Sequence, residues 1–545
     1  MPFLATKHVE IPTKDILTWL IDDSRCDPEQ PIYIDAAHPS RSYNLRQART
    51  AIRKLCAGFK AVGLQKGDVV CLVSFNDVRP PLIDFPIAVN GIVAFGGIFA
   101  GTNPAYTRYE ISHAIKTAKV KAFIAEPDLL TNVLPAAKAA GIPASRIFVF
   151  DRPNQAVPAG LQSWTALMQH GEADWLRFDD LHTARTTEAA RLFSSGTTGL
   201  PKAARLSHRN FVAQQHCVEN PSPPPFAVRT LIAAPLFHAG MVPRTHFAPL
   251  RTGTPTYIVR RFDPGLFLRY VERYRITNLS VVPQMAIALL RAPEERRRAL
   301  KCVRMAGSGG APLSGQVQAS LKKYLADGAP GWGMTETTCI ATHLLWPEDD
   351  DGTGSVGRPV PDLDMKLVDE SGLDISGYDV HGEIWVRGPI LFMGYVDNPQ
   401  ANAAWDSDGY FPTGDIGYCS SKNKRWYIVD RKKEMIKVRG FQVAPPELEG
   451  ILLSHPQIVD AGVIGVKFAK NGSEFPRAYV VKHEGSEGAA LTEEDVKKHV
   501  AERLSSYKRL EGGVVFVDEL PRNPAGKILK QPLRDRAAKE LGAKL

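Results

Sequence analysis

Short apolar runs alternate with helical patterns over the first 190 residues, and this alternation restricts the fold more than any other feature of the chain. Residues 50–61 carry apolar side chains four positions apart, which is the spacing of a helix with one buried face. Residues 69–73, 120–125 and 147–150 are short runs of the kind that form buried strands. Strands that alternate with helices predict a layered α/β architecture in which most strands are parallel.

The pattern changes in the second half of the chain. The segment 351–417 is rich in Gly, Asp and Pro, and its apolar runs at 365–368 and 383–386 are typical of strands joined by tight turns. We therefore predict a small β-rich subdomain with antiparallel strands in this part of the chain.

A chain of 545 residues is longer than one compact core usually holds, so two or more domains are expected. The charged stretch 430–434 is followed by a new α+β pattern, and we place the main boundary there. The predicted fold class is α/β. Residues 1–432 form a large N-terminal domain of layered α/β subdomains plus the β-rich subdomain, and residues 433–545 form a small α+β C-terminal domain.

The composition excludes several classes of protein. Hydrophobic residues make up 44% of the chain and charged residues 23%, which is typical of a globular protein and not of a disordered or fibrous one. The seven cysteines are scattered without a CxxC pair, which argues against a disulfide framework and against a cysteine-zinc site. The most apolar stretch, residues 85–99, is too short and glycine-rich to span a bilayer, and we expect it to form a buried helix and strand.

The formal net charge of +9 suits anionic partners such as nucleotides, coenzyme A or acid substrates. It is also compatible with nucleic acid, so charge alone does not identify the partner. The basic run Arg296-Arg297-Arg298 follows two glutamates and is interpreted as a solvated helix face. We therefore expect no nucleic-acid partner.

The strongest local motif is Ser194-Ser195-Gly196-Thr197-Thr198-Gly199-Leu200-Pro201-Lys202. Its glycines allow close approach of a ligand, and turn N–H groups together with hydroxyl donors form an anion site. Lys202 supplies a cation at the end of the loop. The GxxxxGK[ST] spacing of a Walker A loop is absent. We predict a phosphate-binding loop of a different kind.

This loop resembles the phosphate loop of the acyl-adenylate-forming superfamily, which includes acyl-CoA synthetases, 4-coumarate–CoA ligases and beetle luciferases. Further segments resemble motifs of the same superfamily, in the family's order along the chain: 91–110, 235–240, 308–313, 331–336, 410–415, 430–449 and 524–527. The resemblance implies an enzyme that uses ATP to activate a carboxylic acid as an acyl-adenylate and then transfers the acyl group to coenzyme A. ATP and coenzyme A would be co-substrates, and Mg²⁺ the metal cofactor.

The resemblance assigns a set of residues to ATP and AMP binding: Ser194, Ser195, Gly196, Thr197, Thr198, Gly199, Lys202, Gly309, Gly310, Ala311, Gly331, Trp332, Gly333, Met334, Thr335, Asp415, Arg431 and Lys527. Trp332 would pack its flat face on adenine, and Asp415 with Arg431 would hold the ribose. Glu336 would bind Mg²⁺, which prefers oxygen ligands, beside Thr335 on the phosphates.

The catalytic roles follow from the same resemblance. Lys527 would stabilise the charge that develops as the carboxylate attacks the α-phosphate. Lys437 and Gln442 match family positions near the adenylate. The C-terminal domain of the family rotates between two half-reactions, which makes Lys433 the expected hinge. In the second state Arg439 and Gly440 would face the coenzyme A channel.

The predicted acyl pocket is formed by His238, Gly240, Gly309, Gly331 and Gln442. Plant 4-coumarate–CoA ligases carry Tyr at the position of Gly240 and Gln at the position of Pro330. We expect the loss of an aromatic side chain at 240 to leave a roomier apolar pocket for an aryl or medium-chain aliphatic acid.

Three alternatives stay open on the sequence alone. They are a luciferase-like oxygenase, an adenylating enzyme that loads a carrier protein in trans, and a catalytically silent binding protein of the same fold. The terminal Ala543-Lys544-Leu545 is a close variant of the Ser-Lys-Leu peroxisomal signal. It predicts a peroxisomal import receptor as a partner and a peroxisomal location; without that signal the expectation is cytoplasmic.

Overall fold

The computed structural model describes residues 1–24, 26–76, 83–151, 155–194, 201–218, 224–310, 315–325, 329–344, 352–438, 441–467, 474–483, 491–522 and 526–542. The protein is α/β, with a large N-terminal part and a small C-terminal part, as the sequence predicts.

One sheet, sheet 1, lies in the first 210 residues. Its strands, numbered along the chain, are β3 (Val69–Val73), β4 (Ile98–Thr102), β5 (Val120–Ala125), β6 (Ile147–Val149), β7 (Gln162–Ser163), β8 (Glu188–Ser194) and β9 (Lys202–Ser207). The spatial order is β7-β6-β5-β3-β4-β8-β9, and the strands are parallel except for the β8–β9 hairpin. The strands expected at 69–73, 120–125 and 147–150 are all present.

A second sheet, sheet 2, joins the N-terminal segment to the middle of the chain. It contains β1 (Pro31–Asp35), β2 (Ser42–Asn44), β10 (Thr230–Ile232), β11 (Thr256–Ile258), β12 (Asn278–Val281), β13 (Met305–Ser308) and β14 (Ala329–Pro330). The order is β14-β13-β12-β10-β11-β1-β2, parallel except for β1–β2. The register of β12 and β13 sets Ser280 opposite Gly307 and Val281 opposite Ser308.

The β-rich region forms an antiparallel sheet, sheet 3, where the sequence predicts one. Its strands are β17 (Asp364–Val368), β18 (Gly382–Arg387), β19 (Phe411–Cys419) and β20 (Trp426–Arg431), in that order across the sheet. A short pair, β15 (Thr342–His343) with β16 (Arg358–Pro359), precedes it. Strand β20 extends the sheet beyond the predicted end at residue 417.

The C-terminal residues contain the hairpin β21 (Ile436–Val438) and β22 (Phe441–Val443), and sheet 4, made of β23 (Ile458–Lys467), β24 (Glu474–Lys482) and β25 (Val514–Phe516). These elements pack around an apolar cluster drawn from residues 436–514. Sheet 3 ends at Arg431 and the hairpin begins at Ile436, so the predicted hinge, Lys433, lies on the segment between them. The boundary at 432/433 stays a prediction.

The α-helices are α1 (Leu45–Ala61), α2 (Asp84–Ala94), α3 (Arg108–Ala118), α4 (Leu130–Ala139), α5 (Leu181–Thr186), α6 (His208–Val218), α7 (Ala248–Thr252), α8 (Pro264–Arg273), α9 (Pro283–Arg291), α10 (Glu294–Arg297), α11 (Gly315–Lys322), α12 (Pro399–Asn402), α13 (Pro445–Leu453), α14 (Glu493–Ala501) and α15 (Lys530–Gly542). Short 3₁₀ segments lie at Pro127–Leu129, Ala144–Arg146, Trp164–Gln169, Arg298–Cys302, Thr335–Thr337 and Ser506–Lys508, and π-helical turns at Thr18–Asp22 and Val242–Phe247.

Helix α1 begins five residues before the predicted start because Asn44 caps it. The Asn44 side chain accepts from the Gln47 N–H, and the Gln47 side chain accepts from the Asn44 N–H. Every residue of α2 is buried, and β4 follows directly, so the apolar stretch 85–99 is a core helix and strand, as expected. Among the described residues, no helix combines the length and apolar character that crossing a bilayer requires.

Candidate active site

A cleft of about 1430 Å³ lies between sheet 3 and the C-terminal elements, and a smaller cavity of about 270 Å³ adjoins it. The cleft is lined by residues of α9, β19, β20 and α13, and by Lys527. The smaller cavity is lined by residues 234–241, by β12 and β13, and by the segment 331–344. Residues that line both spaces form the border between them: Ser308, Gly310, Gly331, Trp332 and Gly333. This border falls in the segments 308–313 and 331–336, in which the resemblance assigns residues to ATP and AMP binding.

Trp332, Asp415 and Arg431 form a connected group in the cleft. Asp415 lies opposite Arg431 in the β19–β20 register, and the Arg431 Nε is 3.1 Å from the Asp415 Oδ1. The Trp332 Nε1–H donates to the other carboxylate oxygen of Asp415 at 2.8 Å. Trp332 and Asp415 are both buried. The sequence predicts a stacking face at Trp332, and the structure adds that its edge orients the carboxylate assigned to the ribose.

Lys527 lies in the cleft close to this group. Burial, and secondly the charge of Arg431, lower the pKa of Lys527 to about 8 against the opposing effects of Asp415, Glu434 and Asp430. A lysine with such a pKa in a cleft is typical of a functional site.

The loop that carries Lys527 is held from both sides. Arg522 donates to the Gly526 carbonyl at 2.7 Å and forms an ion pair with Asp460 at 2.6 Å. From the N-terminal part, Gln284 at the start of α9 donates to the Gly526 carbonyl at 3.0 Å, in the amide orientation that satisfies its neighbours. Gly526 has φ +81°, a left-handed conformation that favours glycine, and a Cβ there would lie 2.3 Å from the amide end of the Gln284 side chain.

Glu336 belongs to a buried cluster that sequence reasoning found only in part. Its carboxylate is 2% exposed and accepts a hydrogen bond from the Tyr395 hydroxyl at 2.6 Å. The Lys202 Nζ lies 5.3 Å from the centroid of the Tyr395 ring. The 3₁₀ turn Thr335–Thr337 sets Glu336 in this position, with Thr335 also buried. Tyr395 lies between the predicted phosphate cation and the predicted metal ligand, and no motif identifies it.

The ends of the predicted phosphate loop meet across the β8–β9 hairpin. Ser194 and Lys202 are partners in the antiparallel register. Residues 195–199 lie outside the described residues, so the contacts predicted for Ser195, Gly196, Thr197, Thr198 and Gly199 stay predictions. The pairing of Ser194 with Lys202 therefore fixes the positions of the two flanking residues of this segment.

The predicted acyl-pocket residues that the structure describes line the smaller cavity: His238, Gly240, Gly309 and Gly331. The His238 Nδ1 accepts from the Gly240 N–H at 3.2 Å, and burial lowers the pKa of His238. His238 is therefore neutral near pH 7 and carries its proton on Nε2. A Cβ at Gly240 would meet only the His238 Nδ1, at 3.5 Å, so the space beside Gly240 is open.

The smaller cavity also has a polar part that the sequence does not predict. Arg244, from the π-helical turn Val242–Phe247, lines it together with Ser280 and His343. Burial, and secondly the charge of Arg244, lowers the pKa of His343 to about 4, so His343 is neutral. The predicted apolar pocket thus also has a cation in its wall.

Other predicted residues lie at separate points on the walls of the smaller cavity and the cleft. Gly310 and Gly333 lie on the border of the two spaces, and Met334 lines the smaller cavity. A Cβ at Gly333 would lie 1.6 Å from the Cys339 carbonyl oxygen, so this segment requires glycine there. Lys437 lies at an exposed part of the cleft wall, with its Nζ 3.0 Å from Glu370.

The Lys433 Nζ lies 3.7 Å from the Glu434 Oε1, and burial lowers the pKa of Lys433. Ala311, Arg439 and Gly440 lie outside the described residues, as do Ala543, Lys544 and Leu545. For Gln442 the structure describes the strand and not the side chain. These roles stay predictions.

Comparison with known proteins gives consistent matches. The model of the AMP-binding enzyme family matches residues 22–396, and that of the AMP-binding enzyme C-terminal domain matches residues 447–527. The chain is 47% identical to phenylacetyl-CoA ligase epaB of Aspergillus niger, over 99% of this chain and all of that protein. It is also 47% identical to acyl-CoA ligase azaF of the same species, over 98% of this chain and 100% of that protein.

Among solved structures, ATP-bound MatB from Rhodopseudomonas palustris superposes with a TM-score of 0.83 at 26% identity, covering 97% of this chain and 99% of that one. The first family model alone spans more than half of the chain, and the fold, the cleft and the motif residues on its walls agree with it. The chain therefore belongs to the AMP-binding enzyme family, as an acyl-CoA ligase.

Proposed function

We propose that this enzyme activates a small aryl or medium-chain carboxylic acid with ATP and Mg²⁺, and then transfers the acyl group to coenzyme A. The observation that carries the proposal is the shared border of the two spaces. An acid in the smaller cavity would meet a nucleotide in the cleft at Trp332 and its neighbouring glycines.

The size of the smaller cavity supports a small substrate. Its volume of about 270 Å³ is just below the range for small-molecule sites, about 300–1,000 Å³. A single aromatic ring with a short side chain, or a medium aliphatic chain, suits such a space better than a long fatty acid. The similarity to a protein named phenylacetyl-CoA ligase supports an arylacetic acid in particular.

In the first half-reaction, a carboxylate oxygen of the acid attacks the α-phosphorus of ATP, the bond to the bridging oxygen breaks, and pyrophosphate leaves. Negative charge accumulates on the α-phosphoryl oxygens as this happens. Protonated Lys527, which lies in the cleft near Asp415 and Arg431, stabilises that charge. Asp415, oriented by Trp332 and Arg431, accepts from the ribose hydroxyls and sets the position of the nucleotide.

Glu336 is a suitable ligand for Mg²⁺. The ion binds proteins through one or two carboxylates and takes its other oxygens from phosphates and waters, so one buried carboxylate is sufficient. The Tyr395 hydroxyl, which donates to one Glu336 oxygen, would fix the direction of the carboxylate. When bound, the ion supplies positive charge to the triphosphate. Lys202, near the Tyr395 ring, would contact the phosphates directly.

In the second half-reaction, the sulfur of coenzyme A attacks the carbonyl carbon of the acyl-adenylate. AMP leaves and the thiol proton is released. The contacts of Gln284 with Gly526 help to hold the Lys527 loop at the cleft, as the proposed first half-reaction would require. Rotation about Lys433 would remove Lys527 and bring Arg439 and Gly440 to the site.

The terminal tripeptide 543–545 supports a peroxisomal location.

The deciding experiment measures pyrophosphate release and acyl-CoA formation by the full chain with ATP and Mg²⁺. The acids are benzoate, phenylacetate, 4-coumarate and the aliphatic series from butanoate to hexadecanoate. Thioester formation with the smaller acids is the expected result. Pyrophosphate without thioester would indicate a carrier-protein acceptor, and no pyrophosphate with any acid would indicate a silent binding protein.

A matched variant tests the role of Lys527. Lys527→Ala should lower adenylation by about 10²–10³, a loss comparable to removing one charge-stabilising donor. It should leave thioester formation from supplied acyl-adenylate unchanged. Equal loss in both half-reactions would contradict the assignment of Lys527 to the first one alone.

A further inference from the structure

Arg244 occupies an unusual position in the wall of the smaller cavity. It lies within the π-helical turn Val242–Phe247, an irregularity often found at functional sites. Its guanidinium lies over Gly307 of β13: a Cβ at Gly307 would come within 3.4 Å of Nη2 and 3.5 Å of Nη1. Glycine at this strand position leaves room for the planar group.

Across the described part of the chain, Arg244 makes no hydrogen bond and no ion pair with another residue. The described residues that line the cavity include neither Asp nor Glu. A guanidinium stays protonated at any physiological pH. The cavity therefore presents a positive charge that the described protein does not neutralise, and such a charge favours an anionic ligand.

Three further polar atoms of the same cavity have no hydrogen-bond partner among the described residues. They are the Ser280 Oγ, the Ser308 Oγ and the His343 Nε2, all of them buried. Ser280 is 4% exposed and Ser308 is 9% exposed. Buried polar groups in proteins are nearly always hydrogen-bonded, so several unsatisfied groups around one cavity indicate a ligand that supplies the missing partners.

Arg244 and Ser280 lie outside the cleft that we propose for the nucleotide. Both line the smaller cavity and neither lines the cleft, whereas Ser308 lines both. Ser280 pairs with Gly307 in the β12–β13 register, one position before the Val281–Ser308 pair at the border. Ser280 therefore lies one residue, about 3.3 Å along strand β12, before the strand position that faces the border residue Ser308.

We propose that the acid substrate carries a second oxygen-acceptor group, preferably a carboxylate, and that Arg244 is the specificity-determining residue that binds it. The Ser280 hydroxyl donates a further hydrogen bond to the same group. This inference rests on the proposed acyl-CoA ligase function and narrows its substrate to acids with a second polar end. A guanidinium is suited to the task because its planar fork matches the two oxygens of a carboxylate.

Matched pairs of acids test the proposal: hexanoate with hexanedioate, octanoate with octanedioate, and phenylacetate with 4-carboxyphenylacetate. For the wild-type enzyme, kcat/KM should be higher for the diacid of at least one pair by about 10- to 100-fold, as expected for a hydrogen bond to a charged group. Arg244→Met should remove that preference by lowering kcat/KM for the diacid far more than kcat/KM for the monoacid. Arg244→Lys, which keeps the charge and loses the fork, should retain part of it.

Ser280→Ala is the second variant because it removes one hydroxyl and disturbs packing least. It should lower kcat/KM for the diacid about fivefold, the effect of one ordinary hydrogen bond, and lower kcat/KM for the monoacid less. A readout without turnover is the melting temperature of the wild type, which the preferred diacid should raise more than its monoacid partner does.

Two results overturn the inference. If wild type prefers the monoacid of every pair, the cavity has no second anion site. If Arg244→Met lowers kcat/KM equally for both acids of the preferred pair while ATP still raises the melting temperature, Arg244 binds the reacting carboxylate instead. These results differ from the result expected if the proposed ligase function is wrong, because in that case the wild type releases no pyrophosphate with any acid.

Discussion

The lowered pKa of Lys527 predicts that the rate of adenylation falls at alkaline pH, which gives its pH profile an alkaline limb. With a pKa of about 8, the protonated fraction of Lys527 falls from about 0.91 at pH 7 to about 0.09 at pH 9. Because only the protonated amine stabilises the α-phosphoryl charge, adenylation should fall about tenfold over this interval. An ordinary lysine, titrating near 10.4, would lose almost nothing over the same range.

The assay is pyrophosphate release at subsaturating ATP between pH 7 and pH 10. The ratio kcat/KM for ATP reports groups of the free enzyme, so its limb should show the pKa of about 8. Bound triphosphate stabilises the protonated amine, so the corresponding limb in kcat should lie at higher pH.

Lys527→Arg is the matched control because arginine keeps its charge throughout this range. Its adenylation will be slower, but the limb should disappear. Thioester formation by the wild type from supplied acyl-adenylate should also lack the limb. The reasoning is refuted if Lys527→Arg shows the same alkaline fall as the wild type, because the titrating group is then another residue.

Three further changes test the walls and the closure of the site. Gly240→Phe fills open space in a cavity of about 270 Å³. Because each methylene of a substrate contributes about 1–3 kcal/mol, kcat/KM for octanoate should fall at least tenfold relative to kcat/KM for benzoate. Equal losses for both acids would place Gly240 outside the pocket. Trp332→Phe removes the hydrogen bond to Asp415 and should raise the Kd for ATP about tenfold, measured by equilibrium dialysis. An unchanged Kd would show that this hydrogen bond does not orient the ribose. Gln284→Ala removes the contacts with Gly526 and Arg522 and should slow adenylation about fivefold. Thioester formation from supplied adenylate should keep its rate in that variant, and equal slowing would indicate general damage.

The strands of the N-terminal part could be predicted closely because buried parallel strands are continuous apolar runs. Strand β3 begins and ends where the pattern predicts, and so does β5. Helix α1 begins earlier than the predicted start, because its first turn holds the exposed polar residues Arg46 and Gln47 between the buried Leu45 and Ala48, and its cap depends on Asn44 and Gln47, which the apolar spacing does not record.

The candidate site could be predicted where a motif carries the residue, and not where the fold alone brings it in. Trp332 and Asp415 belong to motifs, but the bond between them joins residues 83 positions apart and depends on the packing of β19 against the border. Tyr395 and Arg244 carry no local signature. Tyr395 reaches Glu336 across 59 positions, and the orientation of Arg244 depends on a π-helical turn that side-chain periodicity does not reveal.

The position of Trp332 on the border has a thermodynamic consequence. Trp332 lines the smaller cavity, while its Nε1–H donates to the Asp415 carboxylate in the cleft that we propose for the nucleotide. An acid that displaces the indole must therefore change the affinity for ATP. Reciprocity requires that ATP change the affinity for that acid by the same factor. Selectivity measured for acids alone and selectivity measured in the presence of nucleotide are then different quantities, joined by one coupling free energy.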